Sequence, residues 1–206
     1  MIKNIIFDMG QVLIEWNPPR LIERMGVTGD DAVLLLREEF GCAEWQGLDR
    51  GSFSADRALA GILPRLPERL HPVAEHLARA WWEEPLWPIE GMADLVREVK
   101  SLGYGVYLCS NATSCVHQYF DRIPGSECFD GMIVSADYVM LKPQHEIYEL
   151  LFETYSLTPS ECFFIDDNPS NVEGALLLGM PGTVFFNDMA RLRRELRQAG
   201  VPVRES

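Results

Sequence analysis

"NIIFDMGQVLIEW", residues 4–16, runs three strand-forming side chains, Ile5, Ile6 and Phe7, straight into a carboxylate, Asp8. A short, unbroken apolar run that stops at a polar residue fits a strand buried on both faces. An acid in that place either caps a turn or faces a ligand, and the rest of the chain decides between the two. Four further runs rich in β-branched and aromatic residues follow, at 104–109, 132–135, 162–165 and 183–186. Between the later ones lie helical patterns such as Ile147, Leu150, Leu151 and Tyr155, whose spacing shares one helix face. Strands alternating with helices predict a doubly wound, Rossmann-like α/β fold with a parallel five-stranded sheet. Pro143 fits the first turn of a helix, Asn168 before Pro169 reads as an N-cap, and Gly179 as the stop after 172–178.

Residues 16–87 break this rhythm. They read as helices over 18–25, 30–40 (behind the capping signal Thr28-Gly29-Asp30-Asp31), 53–63 behind Ser52, and 73–83, with no convincing strand. The organisation expected is therefore a core of 1–15 and 88–206 interrupted by an all-helical cap insert, 16–87. All five tryptophans lie in the insert or at its edges. Trp81, Trp82 and Trp87 are expected to fill the cap's small core, whereas Trp16 and Trp45 are expected to face a cleft. The C-terminal "RLRRELRQ" reads as a solvated amphipathic helix.

With 206 residues, 47% of them hydrophobic, the chain can bury a sizeable core. A net charge of -13 disfavours nucleic acid and anionic membranes as partners. No segment approaches the roughly 18 uninterrupted apolar residues of a membrane span, and the N-terminus lacks the features of a secretory signal. Five cysteines without CxxC spacing point to reduced thiols rather than disulfides or zinc, and the location expected is cytoplasmic.

In an open parallel sheet, ligands bind at the carboxyl ends of the strands. The polar residues found there are Asp8, then Ser110-Asn111, then Lys142 in a loop, then Asp166-Asp167-Asn168. Each alone has a bland role as a turn cap, helix cap or solvated side chain. Two adjacent carboxylates facing a third would repel unless a cation sits among them, and oxygen-only ligands suit Mg2+.

"FDMGQVL", "LCSNAT", "LKPQHEIYELL" and "FFIDDNPSNVEGA" resemble, in order and at fitting separations, the four signature segments of the haloacid dehalogenase-like hydrolases. The resemblance covers the whole core and is nearest to the α-D-glucose-1-phosphate phosphatases and the amino-terminal domain of soluble epoxide hydrolases. It implies a Mg2+-dependent phosphatase of small phosphorylated metabolites, sugar phosphates among them. Asp8 would be the nucleophile that forms an aspartyl-phosphate. Asp8, Asp167 and the Gly10 carbonyl would hold the metal, with Asp166 at or just behind them. Ser110 and Lys142 would relieve charge repulsion, Asn111 would meet the phosphate at a helix start, and Asn171 would order the acidic loop.

Gly10 departs from the pattern of many phosphatases of this superfamily, which place an acid-base Asp there, although some members resembling the glucose-1-phosphatase branch also carry Gly. A positioned acid-base group is worth on the order of 10² to 10⁴ in rate. A sugar 1-phosphate, with its better leaving group, would reduce the need, and Glu15, Glu44 or Asp49 could supply a carboxylate from the cap side. Two alternatives stay open: dehalogenation by attack of Asp8 on carbon, which the acid pair disfavours, and a non-catalytic phosphometabolite binder. A dinucleotide site ranks last, because "DMGQVL" lacks GxGxxG.

Overall fold

The computed structural model describes residues 1–205. Its sheet has five parallel strands, β1 (Asn4–Phe7), β2 (Gly105–Ser110), β3 (Gly131–Val134), β4 (Cys162–Asp166) and β5 (Gly182–Val184), in the order β3-β2-β1-β4-β5. The chain winds outward through β2 and β3, then crosses back to β4, so the switch point lies beside β1. Phe7 pairs with Leu108 on one side and Ile165 on the other, and the Asp8 N–H donates to the Ile165 carbonyl at 2.9 Å. This register brings Asp8 level with Asp166.

Alternate side chains go to opposite faces, as strand geometry requires. Ile5, Phe7, Val106, Leu108 and Ile165 join one apolar cluster with α6 (Met92–Ser101) and α10 (Met189–Gln198); Ile6, Cys109 and Phe164 join another with α8 (His145–Tyr155) and α9 (Pro169–Leu177). Leu192 and Leu196 anchor α10 and Arg194 stays exposed, in keeping with an amphipathic helix, but Arg193 is largely buried in an ion pair with Glu98 at 2.6 Å, so the helix is less solvated than its sequence suggests.

Between β1 and α6 the chain is helical: α1 (Pro18–Arg24), α2 (Gly29–Leu35), α3 (Ala43–Arg50), α4 (Ala55–Ile62) and α5 (His71–Ala80), around an apolar cluster of their own. The helix expected over 30–40 divides: α2 ends at Leu35, and Leu36–Phe40 forms a π turn in which Gly41 N–H reaches back to the Leu36 carbonyl at 3.0 Å. The helix expected from 53 starts at Ala55, because Ser54 rather than Ser52 caps it through Arg57 N–H. The one expected over 73–83 runs from His71 to Ala80 and tightens into a 3-10 turn, Trp81–Glu83. Helix α3 has no counterpart in the sequence reading.

Trp82 packs against the cluster on the α6 side of the sheet and not in the cap cluster, and Trp81 touches both clusters. Pro143 precedes α8 instead of entering its first turn: Gln144 is the N-cap, and the Lys142–Pro143 peptide is cis. A short helix, α7 (Ser135–Tyr138), leads straight out of β3.

Candidate active site

The polar ends of the strands meet under the helical segment around a cavity of about 250 Å³. Asp8, Gly10, Asn111, Lys142 and Asp167 line its floor, and Trp16, Trp45 and Trp81 its roof and walls. Lys142 is fully buried; its Nζ lies 2.8 Å from Asp8 Oδ1, 2.6 Å from Asp166 Oδ2 and 2.8 Å from the Cys109 carbonyl. Burial alone would disfavour the ammonium, but the carboxylates of Asp166 and Asp8 outweigh it and raise its pKa, so the lysine stays charged.

Asp8 is 7% exposed. Its desolvation pushes the carboxyl up to about 6, with Asp166 adding to the rise, while Lys142 and the facing Ser110 hydroxyl work against it. The contact of Asp8 Oδ1 with Lys142 is an ion pair off the hydrogen-bond angle, which leaves that buried oxygen without an aligned donor. Asp166 differs: Oδ1 accepts from Asn168 N–H at 2.8 Å and Asn171 Nδ2 at 3.0 Å, and Oδ2 from Lys142 and from Asn171 at 3.1 Å. Two donors on each oxygen occupy its acceptor capacity. Asp166 therefore fixes Lys142 and the acidic loop. Asp167 is half-buried, with its pKa raised by burial and then by Asp166.

Carboxylate oxygens of Asp8, Asp166 and Asp167 lie within 4.8 Å of one another. Three carboxylates against one ammonium leave a surplus of negative charge, and Asp8 has a buried oxygen lacking a donor. No backbone hydrogen bond of the loop ends on the Gly10 carbonyl. This all-oxygen set fits a small hard divalent cation.

Asn111 stands on the cavity wall, but its side chain clamps the Lys142 backbone, accepting from Lys142 N–H at 2.7 Å and donating to its carbonyl at 3.0 Å. No α-helix starts after it; Ser114–Gln118 is a 3-10 turn. Its side chain thus positions the lysine. Asn171 is braced in turn by Tyr148 Oη on its carbonyl at 2.8 Å. Trp16 stacks on Trp45 at 5.9 Å and meets Trp81 edge-on at 4.6 Å, and Trp81 meets Tyr119 at 5.4 Å. Gln11, Trp81 and Tyr119 line the cavity without having been picked out from the sequence. The aromatic pair at 81–82 was visible there, but nothing in the sequence distinguished a core role from a cavity wall.

A buried carboxylate follows the central strand, paired with a lysine and flanked by two acids from the neighbouring strand. The profile of the haloacid dehalogenase-like hydrolases matches residues 2–179, and the chain belongs to that family. It is 30% identical over 199 residues to the sesquiterpene phosphatase astK of Aspergillus oryzae, covering 95% of each chain. It is 26% identical over 193 residues to the D-ribitol-5-phosphate phosphatase of Bacteroides thetaiotaomicron, covering 87% of this chain and 89% of that one. A HAD-family enzyme of Bacteroides thetaiotaomicron, crystallised with magnesium and inorganic phosphate, shares the fold with a TM-score of 0.72 at 22% identity, over 93% of this chain and 99% of that one. The chain is thus a hydrolase of the haloacid dehalogenase-like family.

Proposed function

We propose that the chain is a Mg2+-dependent phosphatase of small phosphate monoesters that works through an aspartyl-phosphate on Asp8. The observation that carries this reading is the buried Asp8–Lys142–Asp166 array, with Asp167 beside it. Asp8, Asp167 and the Gly10 carbonyl would hold the metal, which, when bound, supplies charge neutralisation for the phosphoryl group.

The chain's own residues do the rest. Asp8 attacks phosphorus, and the ester oxygen leaves. Lys142, held by Asp166 and by the Asn111 clamp, keeps a fixed positive charge beside the developing negative charge, and the Ser110 hydroxyl adds a donor on the same side. The helical segment would exclude water, and its tryptophans would take the organic group of the ester. The aromatic walls suit a substrate with an apolar or ring-shaped group, as the terpenoid relative's name describes for that protein and as the face of a sugar ring would also satisfy. The five cysteines are all free, which suits a cytoplasmic enzyme, and no described helix is long and apolar enough to cross a membrane.

The test is Asp8→Asn, assayed with p-nitrophenyl phosphate and a panel of phosphate monoesters, with Mg2+ and with chelator. Turnover should vanish in the variant and in chelator. Unchanged turnover by the variant refutes the nucleophile, and a melting shift with phosphate esters but no phosphate release from the wild type favours a binding protein.

A further inference from the structure

Gly10 leaves the site without the acid that many phosphatases of the family carry at that position, and a Cβ added there would meet only Trp16 Cβ, at 3.6 Å. The core therefore presents a nucleophile and a lysine but no free proton donor: Asp166 is saturated, and Asp8 is itself the attacking group. Of the three cap-side carboxylates, two are committed elsewhere. Glu15 accepts from Asn17 Nδ2 at 2.7 Å and Arg20 Nη1 at 2.9 Å. Glu44 takes a two-pronged bond from Arg65 at 2.9 and 3.0 Å, which holds its carboxyl down to about 2.

Asp49 is different. It sits in the last turn of α3 and lines the same cavity as Asp8, Gly10, Lys142 and Asp167. Among the described residues no donor and no cation pairs with its carboxyl. Its backbone is held tightly, however. The Asp49 carbonyl accepts from Ser135 Oγ at the start of α7, and two residues on, Gly51 adopts φ +79° so close to the core that a Cβ would stand 2.1 Å from the Ala136 carbonyl oxygen. A cap residue is thereby fixed to the core's own frame.

Resting on the phosphatase reading above, we propose that Asp49 is the general acid-base of the reaction, supplied from the cap in place of the missing core acid. As Asp8 forms its bond to phosphorus and the ester P–O bond breaks, the Asp49 proton passes to the leaving oxygen, and the alcohol departs. The Asp49 carboxylate then takes a proton from water as that water's oxygen attacks phosphorus and the bond to Asp8 breaks. Phosphate leaves, with Asp8 ionised and Asp49 protonated as at the start. The surroundings suit both roles: the packed aromatic walls desolvate the carboxyl and push it up to about 7, close to the working pH of a general acid-base. The charged and titratable groups around the cavity are Asp8, Lys142 and Asp167 from the core loops and Tyr119, whose hydroxyl is near enough to feel the Asp49 charge.

The experiment compares wild type, Asp49→Asn, Asp49→Glu and a Glu15→Gln control on p-nitrophenyl phosphate, whose leaving group needs no proton, and on 2-phenylethyl phosphate, whose leaving group does. Asp49→Asn should lose about 10² to 10⁴ in kcat on the alkyl ester. On the nitrophenyl ester it should release a rapid burst of one equivalent of nitrophenolate and then stall, with the protein about 80 Da heavier by intact mass, the mass of an added phosphoryl group. Asp49→Glu should recover part of the alkyl-ester rate, and Glu15→Gln should match wild type. Loss of under about threefold on both esters overturns the assignment, as does an equal loss on both without a burst, which would mark a structural role. Failure of the phosphatase reading looks different: wild type and Asp8→Asn would then turn over alike.

Discussion

Glu39 offers a test of the cap that needs no substrate. It lies in the π turn, with no exposed surface and no hydrogen-bond partner for either carboxylate oxygen. Burial pushes its pKa from 4.5 up to about 9, so at neutral pH the folded protein keeps it protonated. An acid whose folded pKa is raised binds protons more tightly in the folded state. Stability is therefore full below pH 4.5, falls as the pH rises toward 9, and levels off above that. Each unit within this window costs about 1.4 kcal/mol, which makes about 3 kcal/mol between pH 5 and pH 7. Glu39→Gln removes the proton linkage and keeps the shape. The stability of Glu39→Gln minus that of wild type, from urea unfolding at a series of pH values, should climb by that amount from pH 5 to 7. Near pH 7 the variant should melt roughly 6–12 °C above wild type relative to their pH 5 difference. Asp8, Asp49 and Asp167, whose pKa values are also raised, are present in both proteins and cancel. A difference that stays flat across pH 5–8 would mean that water or a cation reaches Glu39 in the folded state, and the enclosed cap core would be wrong.

Two further perturbations address the floor and the hinge of the cavity. Lys142→Met leaves the fully buried Asp166 and the nearly buried Asp8 without their cation and should cost about 3–5 kcal/mol in chelator, with part recovered on adding Mg2+; identical urea curves with and without Mg2+ would contradict a metal among the three acids. Gly51→Ala combines a left-handed backbone angle with a clash on the Ala136 carbonyl and should destabilise by about 1–3 kcal/mol while slowing the pre-steady-state phosphorylation of Asp8 by an alkyl ester more than that by p-nitrophenyl phosphate, because it displaces Asp49; an unchanged ratio of the two phosphorylation rates would separate the hinge from the proton donor.

The two halves of the cavity were unequally legible in the sequence, for one physical reason. The floor comes from strand ends. Once apolar runs fix five strands in a parallel sheet, the residue after each run must reach the same rim, so Asp8, Ser110 and Asp166-Asp167 could be placed before any coordinate was known. Lys142 followed from its motif, but the hold on it did not: Asn111 grips a backbone 31 residues away, a contact that no local pattern announces. Part of the roof, Trp45 and Asp49, comes from α3, whose sequence AEWQGLDR buries only Trp45, Gly47 and Leu48 and so lacks a clear helical stripe. Gly47, a poor helix former, is there because the Phe53 ring comes so close that a Cβ would stand 2.7 Å from it. Glu39 likewise reads as one more solvated charge in "REEF" until packing encloses it. The side chains that would set substrate and proton transfer thus depend on how the cap docks, through Ser135 and Gly51, and not on strand register. If that docking holds Asp49, the absence of an acid at Gly10 is a relocation of the proton donor onto the element that also encloses the substrate, and acid-base chemistry would then be available only with the cap in place.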